Sequence, residues 1–118
     1  MNTGTTSNNF SQGDIVLIPF PFSNLTGSDQ RPAIIISSKT VNDSTSDVIL
    51  AQITSNTRND QFSFPLKDED LDTPLPKNSE IRCHKLFTAE KSIIKKRISG
   101  LKKGKLSPIL RKISSFIS

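Results

Sequence analysis

Three short runs rich in β-branched residues constrain this chain more than any other feature. They are Asp14-Ile15-Val16-Leu17-Ile18-Pro19-Phe20, Pro32-Ala33-Ile34-Ile35-Ile36-Ser37 and Asp47-Val48-Ile49-Leu50-Ala51-Gln52-Ile53-Thr54. Each is continuous rather than alternating, the pattern of a strand buried on both faces. Pro32 opens the second run, where a missing N–H costs least. Turn residues crowd the connections at 21–31 and 42–46, which read as loops. Residues 61–66 alternate polar and apolar, so one face of that strand is wet. Residues 68–77 are acidic and Pro-bearing, hence loop. Residues 79–87 alternate again, which places Ile81 and Cys83 on one face and Arg82 and His84 on the other. Residues 93–98 fit either a sixth strand or a helical turn. At the end, Ser107 suits an N-cap and Pro108 a first helical position. Ile109, Leu110, Ile113, Phe116 and Ile117 then form one apolar helical stripe. Five or six short strands, one terminal helix and no βαβ rhythm predict a mostly β fold, a small antiparallel barrel packed by a C-terminal helix.

At 118 residues there is room for one domain. The Asn/Thr/Ser/Gln-rich segment 1–11 reads as a flexible tail and 12–118 as the folded unit. The longest apolar run is about eight residues, far short of the ~20 needed to span a bilayer. The N-terminal segment has neither the basic nor the apolar part of a signal peptide. Cys83 is the only cysteine and His84 the only histidine, which excludes an internal disulfide and a cysteine-cluster zinc site. The carboxylates of Asp68, Glu69, Asp70 and Asp72 are the sole metal candidate and read as a solvated loop, so no metal or cofactor is expected. A cytoplasmic setting follows. Charge is divided unevenly: residues 1–76 hold four basic and nine acidic side chains, residues 77–118 twelve basic and two acidic. A basic third favours a polyanionic partner.

No phosphate-binding glycine loop, nucleophile elbow or paired-His motif occurs. The residues left to carry chemistry are Arg31, held extended by the following Pro32, the strand-end hydroxyls Thr54 and Ser55, and Arg82 with His84. The ordered blocks Gly13–Phe22 (GDIVLIPFPF), Arg31–Ser37 (RPAIIIS) and Asp47–Ser55 (DVILAQITS) resemble the MazF/PemK family of toxin endoribonucleases from type II toxin–antitoxin systems. Residues 79–88 and the helix-forming tail agree, so the resemblance covers roughly 12–117. It implies an SH3-like barrel, a homodimer, a cognate antitoxin, and sequence-specific, metal-independent cleavage of single-stranded RNA, the activity of an mRNA interferase. It carries the family's Arg-Pro arginine onto Arg31 and its strand-end threonine onto Thr54, with Ser55 beside it. Some members have an Arg-Cys-Asp run; here Arg82-Cys83-His84 keeps the arginine and replaces the acid. The Glu-Gln pair many relatives place ahead of the Arg-Pro is here Asp29-Gln30, directly against Arg31.

Metal-free RNA cleavage uses the 2′-hydroxyl as nucleophile and needs a base, an acid and fixed positive charge for the phosphorane. Arg31 and Arg82 suit the charge, since a guanidinium stays protonated and grips two oxygens. Thr54 suits a phosphate oxygen or the 2′-hydroxyl. His84 is matched to proton transfer near neutral pH, with a pKa lowered by the neighbouring guanidinium. Phe22 and Phe62 are candidates for base stacking, as is Phe64 where the core does not claim it. Lys102 and Lys103, with Lys95, Lys96, Arg97 and Lys105, are candidates for backbone contacts. Two rival readings share the barrel: a toxin that poisons a protein target such as DNA gyrase, and an RNA-binding barrel without catalysis.

Overall fold

The computed structural model describes residues 9–19 and 29–118. Phe22, most of the 21–31 connection and most of the 1–11 tail lie outside the described residues. The three β-branched runs form β1 (Asp14–Pro19), β2 (Gln30–Ile35) and β3 (Asp47–Thr54). β4 (Ser63–Leu66), β5 (Ser79–Glu90) and β6 (Lys96–Gly100) complete an antiparallel sheet in the order β4-β5-β3-β2-β1-β6. Of the two readings of residues 93–98 each holds in part: a 3-10 turn over Lys91–Ile93 precedes the strand, which starts at Lys96.

Successive residues of the central strands feed opposite cores, which is why their sequences run apolar without alternation. Ile15, Ile34, Ala51 and Ile53 point to one side, joined by Ile81, Cys83, Ile109 and Ile113. Val16, Ile18, Ala33, Ile35, Val48 and Leu50 form the second core on the other side, with Phe10, Phe87, Ile93 and Ile94 against it. The sheet curls into a half-barrel. Its far edges approach where Leu71, beyond β4, bridges to Leu101, beyond β6. The first core is closed by α2 (Leu106–Ser115), whose Ile109 and Ile113 are buried. No helix among the described residues is long and apolar enough to cross a membrane.

Several local expectations are corrected. β2 begins at Gln30, so Pro32 is its third residue. Pro32 pairs with Leu17 of β1, while β3 joins only from Ala33, opposite Gln52. The proline therefore removes no ladder bond on its open side. The cluster at 42–46 begins inside a short helix, α1 (Lys39–Ser44). Buried Asn42 holds it, donating from Nδ2 to the Ser37 carbonyl at 3.0 Å and accepting Lys91 Nζ on its own carbonyl at 2.6 Å. Six residues are too few to print a helical period. α2 starts at Leu106, with Lys105 as its N-cap residue. Pro108 still falls in the first turn, where N–H groups have no intrahelical acceptor, and Ser107, expected as the N-cap, is the second residue of the helix. The helix ends at Ser115, so Phe116 and Ile117 lie past it, 37% and 72% exposed.

Candidate active site

β2 and β3 bring the predicted residues together through their register. Ala33 faces Gln52 as the last pair of the ladder, and Arg31 and Thr54 each lie two residues beyond it on their own strands. Both line a cleft of about 730 Å³ at this end of the sheet. Ser55, Asn56 and Gln30 add polar groups to it, and Lys77 and Lys96 add charge. Leu17, Pro74 and Leu75 give it an apolar wall. Arg31 is exposed. Thr54 Oγ1 accepts the Asn56 N–H at 3.0 Å, which fixes the turn and leaves the hydroxyl its own proton to donate. One end of the cleft thus offers a guanidinium and two hydroxyls, suited to phosphate oxygens.

Arg82 is placed differently. It stands opposite Gln52 on β3 and Ser63 on β4, but its side chain is buried and bound within the protein. Nη1 and Nη2 grip the two carboxylate oxygens of Asp60 at 2.9 and 3.0 Å. Nη1 also reaches Glu80 Oε2 at 2.7 Å and Ser63 Oγ at 2.9 Å. Glu80, 1% exposed, accepts the backbone N–H groups of Arg58 and Asn59 on Oε1, at 3.1 and 3.2 Å, and the Ser63 hydroxyl on Oε2 at 2.7 Å. Burial pushes the Glu80 pKa up. The hydrogen bonds from Ser63, Arg82, Asn59 and Arg58 outweigh it and hold the carboxyl below its ordinary value. Asp60 is held far below the carboxylate range, chiefly by its hydrogen bonds from Arg82. Arg82 is therefore not presented to the cleft as the phosphate ligand expected of it.

The same-face expectation for Arg82 and His84 fails at a bulge. Gln52 pairs with Arg82 while Ala51 pairs with Leu86, so Cys83, His84 and Lys85 have no partner on β3 and the period of two is lost there. His84 is exposed, its ring 4.3 Å from that of Phe62. Desolvation against its neighbours lowers its pKa, with help from the charges of Arg82 and Lys85 and against the pull of Asp60. The expected direction is met, with the guanidinium as the lesser cause. His84 does not line the cleft. Phe62 is half-buried between His84 and Phe116, whose ring is 5.2 Å away, and Phe64 packs on the first core. Lys102 and Lys103 are exposed in the turn before α2, outside the cleft. In the acidic loop, Asp72 binds Arg97 at 2.7 Å and Asp70 faces Lys105 at 3.4 Å.

Glu80 and Asp60 had escaped the sequence reading. Glu80 could have been found, since a carboxylate two residues before an arginine shares its strand face. Asp60 lies 22 residues from its partner and left no local signal.

The fold is thus a curled antiparallel half-barrel that carries at one end a cleft lined by an arginine and two hydroxyls. Residues 11–117 match the family described as PemK-like, MazF-like toxins of type II toxin–antitoxin systems, and the chain belongs to that family. Among solved structures, it is similar to an endoribonuclease in complex with its cognate antitoxin from a mycobacterial species. That match has 14% identity and TM-score 0.75, covering 92% of this chain and 95% of the other. A MazE–MazF complex from Deinococcus radiodurans gives 17% identity and TM-score 0.73 over 92% and 95%. The Mycobacterium tuberculosis toxin MazF-mt6 gives 20% identity and TM-score 0.68 over 88% and 95%. At these identities the likeness is one of fold. A comparison with curated proteins finds no match.

Proposed function

We propose that this toxin is a sequence-specific, metal-independent endoribonuclease that cuts single-stranded RNA by attack of a 2′-hydroxyl on the adjacent phosphorus. The observation that carries the reading is that Arg31, Thr54 and Ser55 line one and the same cleft. In this mechanism Arg31 holds the charge that builds on the phosphorane oxygens. Thr54 and Ser55 orient the phosphate, and the apolar wall with Leu17, Pro74 and Leu75 excludes water from the adjoining nucleotide. The attack makes the O2′–P bond and breaks the P–O5′ bond, the 2′-hydroxyl giving up its proton and the departing O5′ taking one up. The products are a 2′,3′-cyclic phosphate and a free 5′-hydroxyl.

The name of one similar structure joins an endoribonuclease to its cognate antitoxin, and the same partnership is proposed here. A cleft of this volume has the size of a small-ligand pocket, short for a strand of RNA. The active form is accordingly proposed to be a homodimer that extends the track across two copies. Purified protein incubated with a long natural RNA and a chelator tests the activity. Cuts at a recurrent short motif, leaving cyclic phosphate ends, are expected. Binding without cuts would support the non-catalytic barrel, and neither would support a protein target. Light scattering should give twice the 13.0 kDa of one chain.

A further inference from the structure

The turn that leaves β3 carries Ser55 and Asn56 into the cleft, and its far side is held by buried charge. Glu80 Oε1 takes the N–H groups of Arg58 and Asn59. Arg82 takes the Asp60 carboxylate in a two-point grip. Ser63 Oγ receives the Asp60 N–H at 3.1 Å while donating to Glu80. Asn59 sits at φ 50°, a left-handed conformation that asparagine tolerates and most residues resist. Four consecutive positions from 57 to 60 therefore include three whose backbone or side chain is bound to Glu80 or Arg82. Thr54 pairs with Glu80 itself across the β3–β5 ladder, so the same residue supports both ends of the turn.

We propose that buried Glu80 and Arg82, with Asp60 at the surface end, form a strut that positions the 55–60 turn, and through it Ser55 and Asn56, against the RNA phosphate, with Arg82 acting as a positioning residue. The inference rests on the proposed nuclease function. It follows from geometry: the guanidinium is buried, bound by two carboxylates and a hydroxyl, and outside the cleft lining, whereas the turn it braces brings Ser55 and Asn56 into the cleft. Buried charge pairs of this kind specify a conformation where removing one partner strands the other.

The test is a double-mutant cycle on RNA cleavage with Asp60→Asn and Arg82→Lys, together with amide exchange at Arg58 and Asn59. Lysine keeps the charge and loses the two-point grip. Each single variant is expected to lower kcat on the order of tenfold, with little change in KM, and the double variant to be no slower than the worse single. Amide exchange at Arg58 and Asn59 should accelerate in Glu80→Gln, and in Asp60→Asn as well. Asp60 is exposed, so its variant keeps the argument testable if the buried substitutions fail to fold. A slow Arg82→Lys beside an Asp60→Asn that cuts at the wild-type rate would overturn the strut, because Arg82 would then touch RNA directly. Additive losses, or variants that leave both rate and exchange unchanged, would overturn it too. A wild-type chain that cuts no RNA overturns the proposed function and this role with it. A wild-type chain that cuts alongside unaffected variants overturns the strut alone.

Discussion

Arg31 owes its place to one neighbour in sequence and two in space. Pro32 holds it extended, β1 pairs it with Ile18, and Thr54 at the end of β3 lines the same cleft. Arg31→Ala removes the charge and none of this backbone. RNA cleavage is expected to fall on the order of 10²–10³-fold, the usual loss for one transition-state charge contact, with an unchanged circular dichroism spectrum. A variant that cut at the wild-type rate would end the assignment. His84 is a contrasting case. Its lowered pKa keeps the imidazole neutral at pH 7, which suits a base, yet its ring lies on the β5 bulge against Phe62 rather than in the cleft. His84→Gln should therefore leave the cleavage rate within about threefold, outside the range of general acid–base contributions. The pH–rate profile should keep its shape, while NMR titration of the wild-type imidazole should give a midpoint below 6.5. Loss of a titration step on substitution would restore the proton-transfer role.

Elements were legible in sequence where burial on two faces wrote them as unbroken apolar runs. β3 runs from Asp47 to Thr54, as its sequence says. They were illegible where long-range partners decide. Nothing local marks the three-residue bulge in β5, because it depends on how Ala51 and Gln52 of β3 meet that strand. α1 depends on one buried asparagine and a lysine 49 residues away. The site divides the same way: Arg31, Thr54 and Ser55 sit at strand ends that periodicity locates, while Asp60, which grips Arg82, comes from the β3–β4 connection 22 residues away. α2 is read correctly through its buried pair and wrongly at both ends. Ile113 is 4% exposed and packs on the first core. Ile113→Ala should destabilise the domain by about 2–5 kcal/mol, read as a shift of the urea midpoint at constant slope. Ile117→Ala, past the helix end and 72% exposed, should shift it little.

Across the whole molecule, the excess of positive charge in residues 77–118 is only partly available to a polyanion. Arg97 is committed to the fold, binding Asp14 at 2.9 Å and Asp72 at 2.7 Å, and so ties the loop beyond β4 to β1 and β6. A Cβ at Gly100 would come within 2.2 Å of Arg97 Nη2, so the glycine keeps room for that clamp. Lys105 faces Asp70. Lys96 lines the cleft, and Lys102 and Lys103 stand exposed beyond it. RNA affinity should fall steeply with salt, since each cation on a phosphate releases counterions. If Lys102 and Lys103 each contact a phosphate, replacing both with alanine should reduce the slope of log affinity against log salt by about 1.4, at ~0.7 per single-strand contact. Arg97→Ala should leave that slope unchanged, because its charge faces carboxylates, and should instead lower the stability of the loop it holds. Fluorescence anisotropy with an RNA blocked at the cut site by a 2′-deoxy nucleotide measures all three proteins across a salt series. An unaltered slope in the double lysine variant would remove that turn from the RNA track. The remaining charge contacts would then lie within the cleft, at Arg31, Lys77 and Lys96.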